Sequence, residues 1–368
     1  MDSRVLEHAE VIVGHCTDVQ PGDDVLIQGD PMTEELQLAI AEACGSIGAN
    51  VSTDPSNPRV GAPFAGERVA RAHRRAIDPA DIEESAISYA AMEATDVLIM
   101  LLGSRNAFEI SDIDPEVQTA FARANKRMAD IRLETRRVAT QHPTPGDAQL
   151  AQMSTAAYAD FVYDATLKDW DAVGVYQQQL VNRLEPASTL RIVAGSETDL
   201  RMSIAGNGAH NDDARRNLPG GEVFTAPVPD SVTGQVRFDY PVMVGGCEVP
   251  GVYLRFEDGR VIHHDADKHA DVLESMLDTD SNARRIGEVG IGMNRDIDRF
   301  TKNMLFDEKM AETVHLALGR AYPEVIGDGN ERNDSAIHQD ILIDMSVDSE
   351  LRLDGESIQR NGTFVFDA

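Results

Sequence analysis

Near residue 186 the sequence changes texture, and the two textures cannot form one kind of sheet. Before that point, short apolar runs alternate with long helical patterns. "DDVLIQGD" at 23–30 precedes "TEELQLAIAEACGSIGA", "DVLIMLLG" at 96–103 precedes "DPEVQTAFARANKRMADI", and "RRVATQHPTP" at 136–145 runs into a proline-containing loop. Strands that alternate with helices imply a mostly parallel sheet with helices on its faces. Helical patterns continue from Pro145 to about Glu185, with Ser154 and Asp169 placed as N-caps. Beyond residue 186 the chain reads as short alternating stretches, among them "STLRIVAG", "GQVRFDYPV", "GVYLRFEDGRVIHH", "RRIGEVGIG" and "AIHQDILIDM". Asp-Gly pairs in "FEDGRVI" and "RLDGESI" are hairpin turns. Helical stretches interrupt only near 267–278 and 300–312. The sequence therefore predicts an α/β domain with a mostly parallel sheet over 1–187. An α+β, mostly antiparallel domain over 188–368 follows it.

Charge narrows the classes of partner. The chain carries 63 acidic against 33 basic residues, a formal charge of −30, and only 5 of the 33 basic residues are lysines. The acids are dispersed rather than gathered in a tail. A carboxylate-rich, lysine-poor surface stays hydrated where salt screens charge, which points to a halophilic, salt-loaded setting. Neutralising a nucleic-acid backbone needs clustered Lys and Arg, so no nucleic-acid partner is expected. No apolar run approaches the ~20 residues of a membrane span, and no membrane partner is expected. The start, "MDSRVLEHAE", has no basic opening or apolar centre, so a cytoplasmic protein is expected. Cys16, Cys44 and Cys247 are far apart and form no CxxC; they read as small apolar residues.

Several catalytic signatures are missing: HExxH, GxxxxGKS/T, GxGxxG after the first strand, and GxSxG. Any chemistry must come from dispersed residues. Four strands of the second domain carry an acid or imidazole in an otherwise apolar run. Glu222 lies in "GEVFTAP". Glu288 shares a strand face with Gly290 and Gly292, opposite Val289 and Ile291. His315 shares one with Ala317 and Gly319, opposite Val314, Leu316 and Leu318. His338 and Asp340 share one in "AIHQDILID". Small neighbours leave room for a cavity, and apolar backing fixes the polar groups. Two imidazoles and three carboxylates match the donors of Zn²⁺, Co²⁺ or Mn²⁺. Each residue also has a plainer reading, a solvent-facing glutamate or a satisfied buried histidine. The His338–Asp340 pair resists it best, because burying both without a partner is costly. "VIHHDADKH", with His263, His264, Asp265, Asp267 and His269, looks metal-like but ends a hairpin strand and reads as a solvated turn. His142 and His15 have no evident partner, and Trp170 reads as packing.

The ordered set "NLPGGEVFTAP", "GEVGIG", "HLALGRAYP" and "NDSAIHQD" resembles the thermophilic metalloprotease family of aminopeptidases, the aminopeptidase T and S group. "QHPTPGDAQLAQMSTAAYADFVYDA" and "DWDAVGVYQQQLVNRL" extend the likeness over nearly the whole chain. The resemblance implies a two-metal site of Zn, Co or Mn that removes N-terminal residues from peptide substrates through a metal-activated water. It places the metal ligands on Glu222, Glu288, His315, His338 and Asp340, and an active-site tyrosine on Tyr322. Glu288 is the choice for the bridging, catalytic carboxylate. The resemblance also implies a homodimer. Departures fall between ligands, at Gly220-Gly221, "GEVGIGMNRDI" and "IHQDILIDM", and bear on substrate range. A fold-related branch resembles ring-cleaving dihydroxypyridine dioxygenases with one Fe²⁺ on two His and one Asp. Its pattern has His at the position of Glu288 and no acid at Glu222, so the peptidase is favoured. A metal-stabilised binding protein is the non-catalytic alternative. Asp344 shares the face of His338 and Asp340 without an assigned role.

Overall fold

The run at 97–102 has no polar face, so it suits only a strand covered on both sides. It forms that strand, and five of its six residues are buried. The computed structural model describes residues 2–56, 67–244 and 247–367. The first strands are β1 (Asp24–Gly29), β2 (Asn50–Asp54), β3 (Val97–Leu102) and β4 (Arg136–Gln141). Next come β5 (Thr189–Ala194), β6 (Thr198–Ser203), β7 (Ala209–Asp212), β8 (Asn217–Leu218) and β9 (Glu222–Thr225). Then follow β10 (Thr233–Arg237), β11 (Val242–Val244), β12 (Cys247–Val249), β13 (Tyr253–Glu257) and β14 (Arg260–Asp265). The last are β15 (Ile286–Gly292), β16 (Thr313–Gly319), β17 (His338–Asp344), β18 (Ser349–Leu353), β19 (Glu356–Arg360) and β20 (Thr363–Phe364).

These elements fall into two compact units. The first comprises Met1–Lys168 with Ala214–Gly220, the second Asp169–Asp213 with Gly221–Ala368. In the first unit a sheet of order β2-β1-β3-β4-β8 is parallel at every pairing. Helices alternate with its strands, as the sequence pattern requires. Leu26, Leu98 and Met100 pack with Met92, and Met128 and Ile131 from the helix Lys126–Glu134 lie against them. Ser154 and Asp169 cap their helices through backbone N–H groups of Ala157 and Ala172.

The second unit is mostly antiparallel, an eight-stranded sheet β14-β13-β10-β6-β5-β18-β19-β20 and a five-stranded sheet β17-β16-β15-β9-β7. One apolar core joins them. Leu190, Ile192, Leu200 and Met202 come from the first sheet, and Val289, Ile291, Val314, Leu316, Ile341 and Ile343 from the second. The Asp-Gly turns are hairpins with both residues at positive φ, Asp258 and Gly259 between β13 and β14, and Asp354 and Gly355 between β18 and β19. The helix Trp170–Leu184 belongs to this unit, although its helical pattern continues that of the first half. Leu180, Val181 and Leu184 place it on the second core, and fully buried Gln177 donates to the carbonyls of Asp212 and Glu222. The helical stretch read at 300–312 shortens to Met304–Asp307. Beyond it the backbone leaves the helix to bridge Met310 to Asn294. Among the described residues, no helix is long and apolar enough to cross a membrane.

Candidate metal centre

All five predicted ligands lie on one face of the five-stranded sheet, because they are joined by register. Directly opposed residues on adjacent strands share a face. Glu222 on β9 opposes Gly292 on β15, and Gly290 opposes His315 on β16. Ala317 lies between Glu288 on one side and Asp340 on the other, and Gly319 opposes His338. Each polar side chain therefore has a glycine or alanine across the ladder. That spacing makes room for imidazoles and carboxylates where larger residues would close the sheet. At Gly290 a Cβ would stand 2.0 Å from His315 Cε1 and 2.1 Å from Nε2, so the ring could not keep its position over any other residue. A register shift between Ile286 and Glu288 turns the strand, so that Ile286 and Val289 both reach the core while Glu288 faces the site.

The polar atoms converge in two overlapping groups, Glu222–Glu288–His315 and Glu288–His338–Asp340. In each, the candidate ligand atoms lie within 4.8 Å of one another. His315 Nε2 is 3.2 Å from Glu288 Oε1, 3.4 Å from Glu222 Oε2 and 4.0 Å from Asp340 Oδ1. His338 Nε2 is 3.6 Å from Asp340 Oδ1. Its other nitrogen, Nδ1, donates to the Arg320 carbonyl at 2.8 Å. A carbonyl only accepts, so that bond puts the proton on Nδ1 and turns the Nε2 lone pair toward the acids. Glu288 is the carboxylate common to both groups.

Burial makes this cluster expensive for protein alone. Glu222, Glu288, His315 and Asp340 are all buried. Glu222 Oε2, Glu288 Oε2, Asp340 Oδ1 and His315 Nδ1 are buried with no hydrogen-bond partner. Each such atom costs about 1–3 kcal/mol. Burial pushes the Glu222 carboxyl up to about 8, against the pull of the Lys309 ammonium. Burial and then the Asp340 charge push Glu288 well above the carboxylate range. Burial works against charging His338, but Asp340 and Glu288 outweigh it and raise its pKa. Every shift reports the same condition, negative charge packed where water does not reach. A divalent cation between these oxygens and nitrogens relieves it, and the donor set suits a borderline metal. The residues present fit such an ion.

Tyr322 follows β16, and its ring packs between Phe224 and His338, with centroids 5.7 and 4.9 Å away. The residue is 40% exposed, so it forms the open side of the cluster. Loss of water around the hydroxyl, together with the Glu288, Glu308 and Asp340 charges, holds its pKa above the ordinary phenol value. It is therefore a hydrogen-bond donor at neutral pH.

Three charged groups join the site without a signal in the sequence. Lys309 is wholly buried and pairs with Glu222, Asp212 and Glu308. Burial alone would depress its pKa, but those acids outweigh it and keep the ammonium charged. "DEKMAE" reads as a solvated charge run, and only tertiary pairing reveals its role. By contrast, His263, Asp265, Asp267 and His269 are exposed, as their loop composition predicts. Asp344 lies at the far end of β17, where its backbone N–H donates to Asp239 and its carboxylate accepts from Ser346 N–H.

The sequence profile of the thermophilic metalloprotease (M29) family matches residues 1–365. Aminopeptidase 2 of Geobacillus stearothermophilus is 33% identical over 211 residues, 52% of this chain and 50% of that protein. The chain thus spans about half the length of that relative. Among solved structures, wild-type AmpT from Thermus thermophilus superposes with a TM-score of 0.85 at 24% identity, covering 99% of both chains. The 2,5-dihydroxypyridine dioxygenase from Pseudomonas putida KT2440 superposes with a TM-score of 0.61 at 16% identity, covering 99% of this chain and 98% of that one. These likenesses establish the fold, an α/β unit followed by a mostly antiparallel one.

Proposed function

From the chain's membership of the thermophilic metalloprotease (M29) family, we propose that it is a metal-dependent aminopeptidase acting on the N-termini of peptides. The observation that carries this reading is Glu288, one buried carboxylate shared by two donor groups in which each carboxylate keeps one oxygen without a hydrogen-bond partner. In this reading Glu222, Glu288 and His315 hold one divalent ion, and Glu288, His338 and Asp340 a second, with Zn, Co or Mn as candidates. Such ions would activate a water and neutralise charge developing on the scissile carbonyl oxygen.

The protein's own groups supply the rest. The Arg320 carbonyl fixes the His338 tautomer and ring. In this reading Tyr322, protonated and on the open side, would donate a hydrogen bond to the oxygen of the tetrahedral intermediate. Carboxylates at the cluster attract a free α-ammonium group, which an internal peptide bond lacks. The apolar backing of β15, β16 and β17 holds all of this rigid. Within the same reading, the antiparallel unit, which carries the cluster, is the catalytic domain. A homodimer, a cytoplasmic location and a salt-adapted surface complete it. Size-exclusion chromatography at high and low salt tests the first and last.

The dioxygenase reading uses His338 and Asp340 but leaves Glu222 and Glu288 unexplained. Metal analysis with a peptide assay separates the two. The peptidase requires near two ions per chain and amino acid release from peptides or aminoacyl anilides with Mn²⁺, Co²⁺ or Zn²⁺. One iron per chain, or no hydrolysis with any of these ions at high salt, refutes it.

A further inference from the structure

Lys309 is one of five lysines in the chain and it is 0% exposed. Lysine is almost never buried so completely unless its charge is paired. Its Nζ donates to Glu222 Oε1 at 3.1 Å, lies 3.6 Å from Asp212 Oδ2, and meets the Glu308 carboxylate. Asp212 and Glu222 are direct cross-strand partners on β7 and β9. The ammonium therefore spans one rung of the sheet at its acidic end.

The backbone that delivers this side chain is pinned. Lys309 N–H donates to the Phe306 carbonyl, and its own carbonyl accepts from Asn294 N–H at 3.0 Å. Asn294 stands just past the end of β15. At Gly292, opposite Glu222, a Cβ would meet the Met310 carbonyl oxygen at 2.0 Å. Gly221, at φ +114°, would bring a Cβ within 2.6 Å of Asn294 Cβ. Gly292 thus lets the 309–310 backbone press against the end of β15, and Gly221 lets Asn294, which bonds to Lys309, lie against the start of β9.

The consequence is a division of the Glu222 carboxylate. Oε1 is taken by Lys309, while Oε2, without a hydrogen-bond partner, faces His315 Nε2 at 3.4 Å. Resting on the metal reading above, we infer that Lys309 is a positioning residue. It holds Glu222 by one oxygen so that only the other is offered, with His315 and Glu288, to a divalent ion. A carboxylate freed of this hold can rotate or bind through both oxygens, changing the coordination on that side of the site only.

The test is a titration of chelator-stripped protein with Zn²⁺ and Co²⁺, for wild type, Lys309→Met and Lys309→Arg. Lys309→Met is expected to bind one of the ions roughly 10–100-fold more weakly, as loss of a group supporting a ligand does. Its Co²⁺ visible spectrum should also change. Lys309→Arg, which keeps a cation, should restore much of the affinity. A folded Lys309→Met with wild-type affinity and spectrum overturns the inference. If Lys309→Met does not fold, a structure of the Zn²⁺-loaded wild type decides. Glu222 bound through Oε2 with Lys309 on Oε1 supports the inference, and Glu222 bound through both oxygens overturns it. A wild type that takes up no divalent ion defeats the metal reading itself, a separate failure.

Discussion

Among the described residues, the parallel unit buries His8 and His142, the antiparallel unit buries His315 with His338 half-buried beside it, and the surroundings of the two pairs differ. In the parallel unit, loss of water is the largest influence on both His8 and His142, with the Glu35 charge a lesser pull on His142. His8 is 0% exposed, its Nε2 is 2.8 Å from the Thr140 hydroxyl, and its ring edges onto Tyr163. Burial drives its pKa down to about 3, and burial lowers that of His142 as well. In the antiparallel unit, His315 and His338 face Glu222, Glu288 and Asp340 instead. There the acids raise the His338 pKa despite burial. Depth alone does not make a histidine a ligand; the charge around it does. His8 ties the helix Ser3–Glu10 to β4 through Thr140, whereas His315 and His338 stand among carboxylates.

Removing Glu288 strikes hardest at this contrast. If the acidic pair of histidines were merely packed like the first, Glu288→Ala would relieve repulsion and leave activity alone. The expected result is loss of at least one ion and of nearly all peptide hydrolysis. The activity drop should exceed the roughly 10–100-fold typical of losing an outer supporting group. Metal analysis and turnover of the purified variant read both. Tyr322→Phe is the sharper cut, since it leaves every ligand in place. Turnover should fall roughly 10²-fold, as when one oxyanion donor is lost, with metal content unchanged. Wild-type turnover in this variant would remove the hydroxyl from the chemistry.

The smallest effect is expected in the parallel unit, and it is one of stability. His8 has a folded pKa of about 3 against an ordinary 6.5. Between those values the unfolded chain takes up a proton that the folded chain refuses. Its contribution is intact above pH 6.5 and is lost as the pH falls through that window, by up to about 1.4 kcal/mol per pH unit. His8→Gln, which keeps a partner for Thr140, should flatten the pH dependence by one proton. Urea unfolding of both proteins from pH 4 to 7 measures it, and identical slopes would mean His8 is charged when folded.

The sequence made one class of feature legible and hid another. Glu222, Glu288, His315, His338 and Asp340 stood out because each interrupts an apolar strand, and strand alternation assigns such residues to a face. The parallel sheet was legible for a similar reason, since β1 and β3 are apolar runs followed by helical patterns, and β4 is a short strand pattern that follows another helical one. Lys309 was not legible. It sits in a run of charges that looks solvated, and its burial follows from contacts with Asp212 and Glu222, about ninety residues earlier. Which small residue lies across from which polar one was hidden as well, since it depends on strand register. Strand alternation puts Gly290 on the face of Glu288 as a small neighbour, but only register makes it the seat of the His315 ring. His8 and His142 were opaque too, because nothing local tells a neutral buried imidazole from an exposed one.

The return of residues 214–220 to the parallel unit has a bearing on inheritance. The strand β8 pairs Asn217 and Leu218 with Ala139 and Thr140 on β4, after more than forty residues of the other unit have intervened. Neither unit is thus a continuous stretch of gene. A truncation after Lys168 would leave β4 as a raw sheet edge, exposed to pairing with other chains. A fragment beginning at Asp169 would carry a strand belonging elsewhere. The two units are interwoven along the chain, so neither can be cut from the gene as one uninterrupted segment.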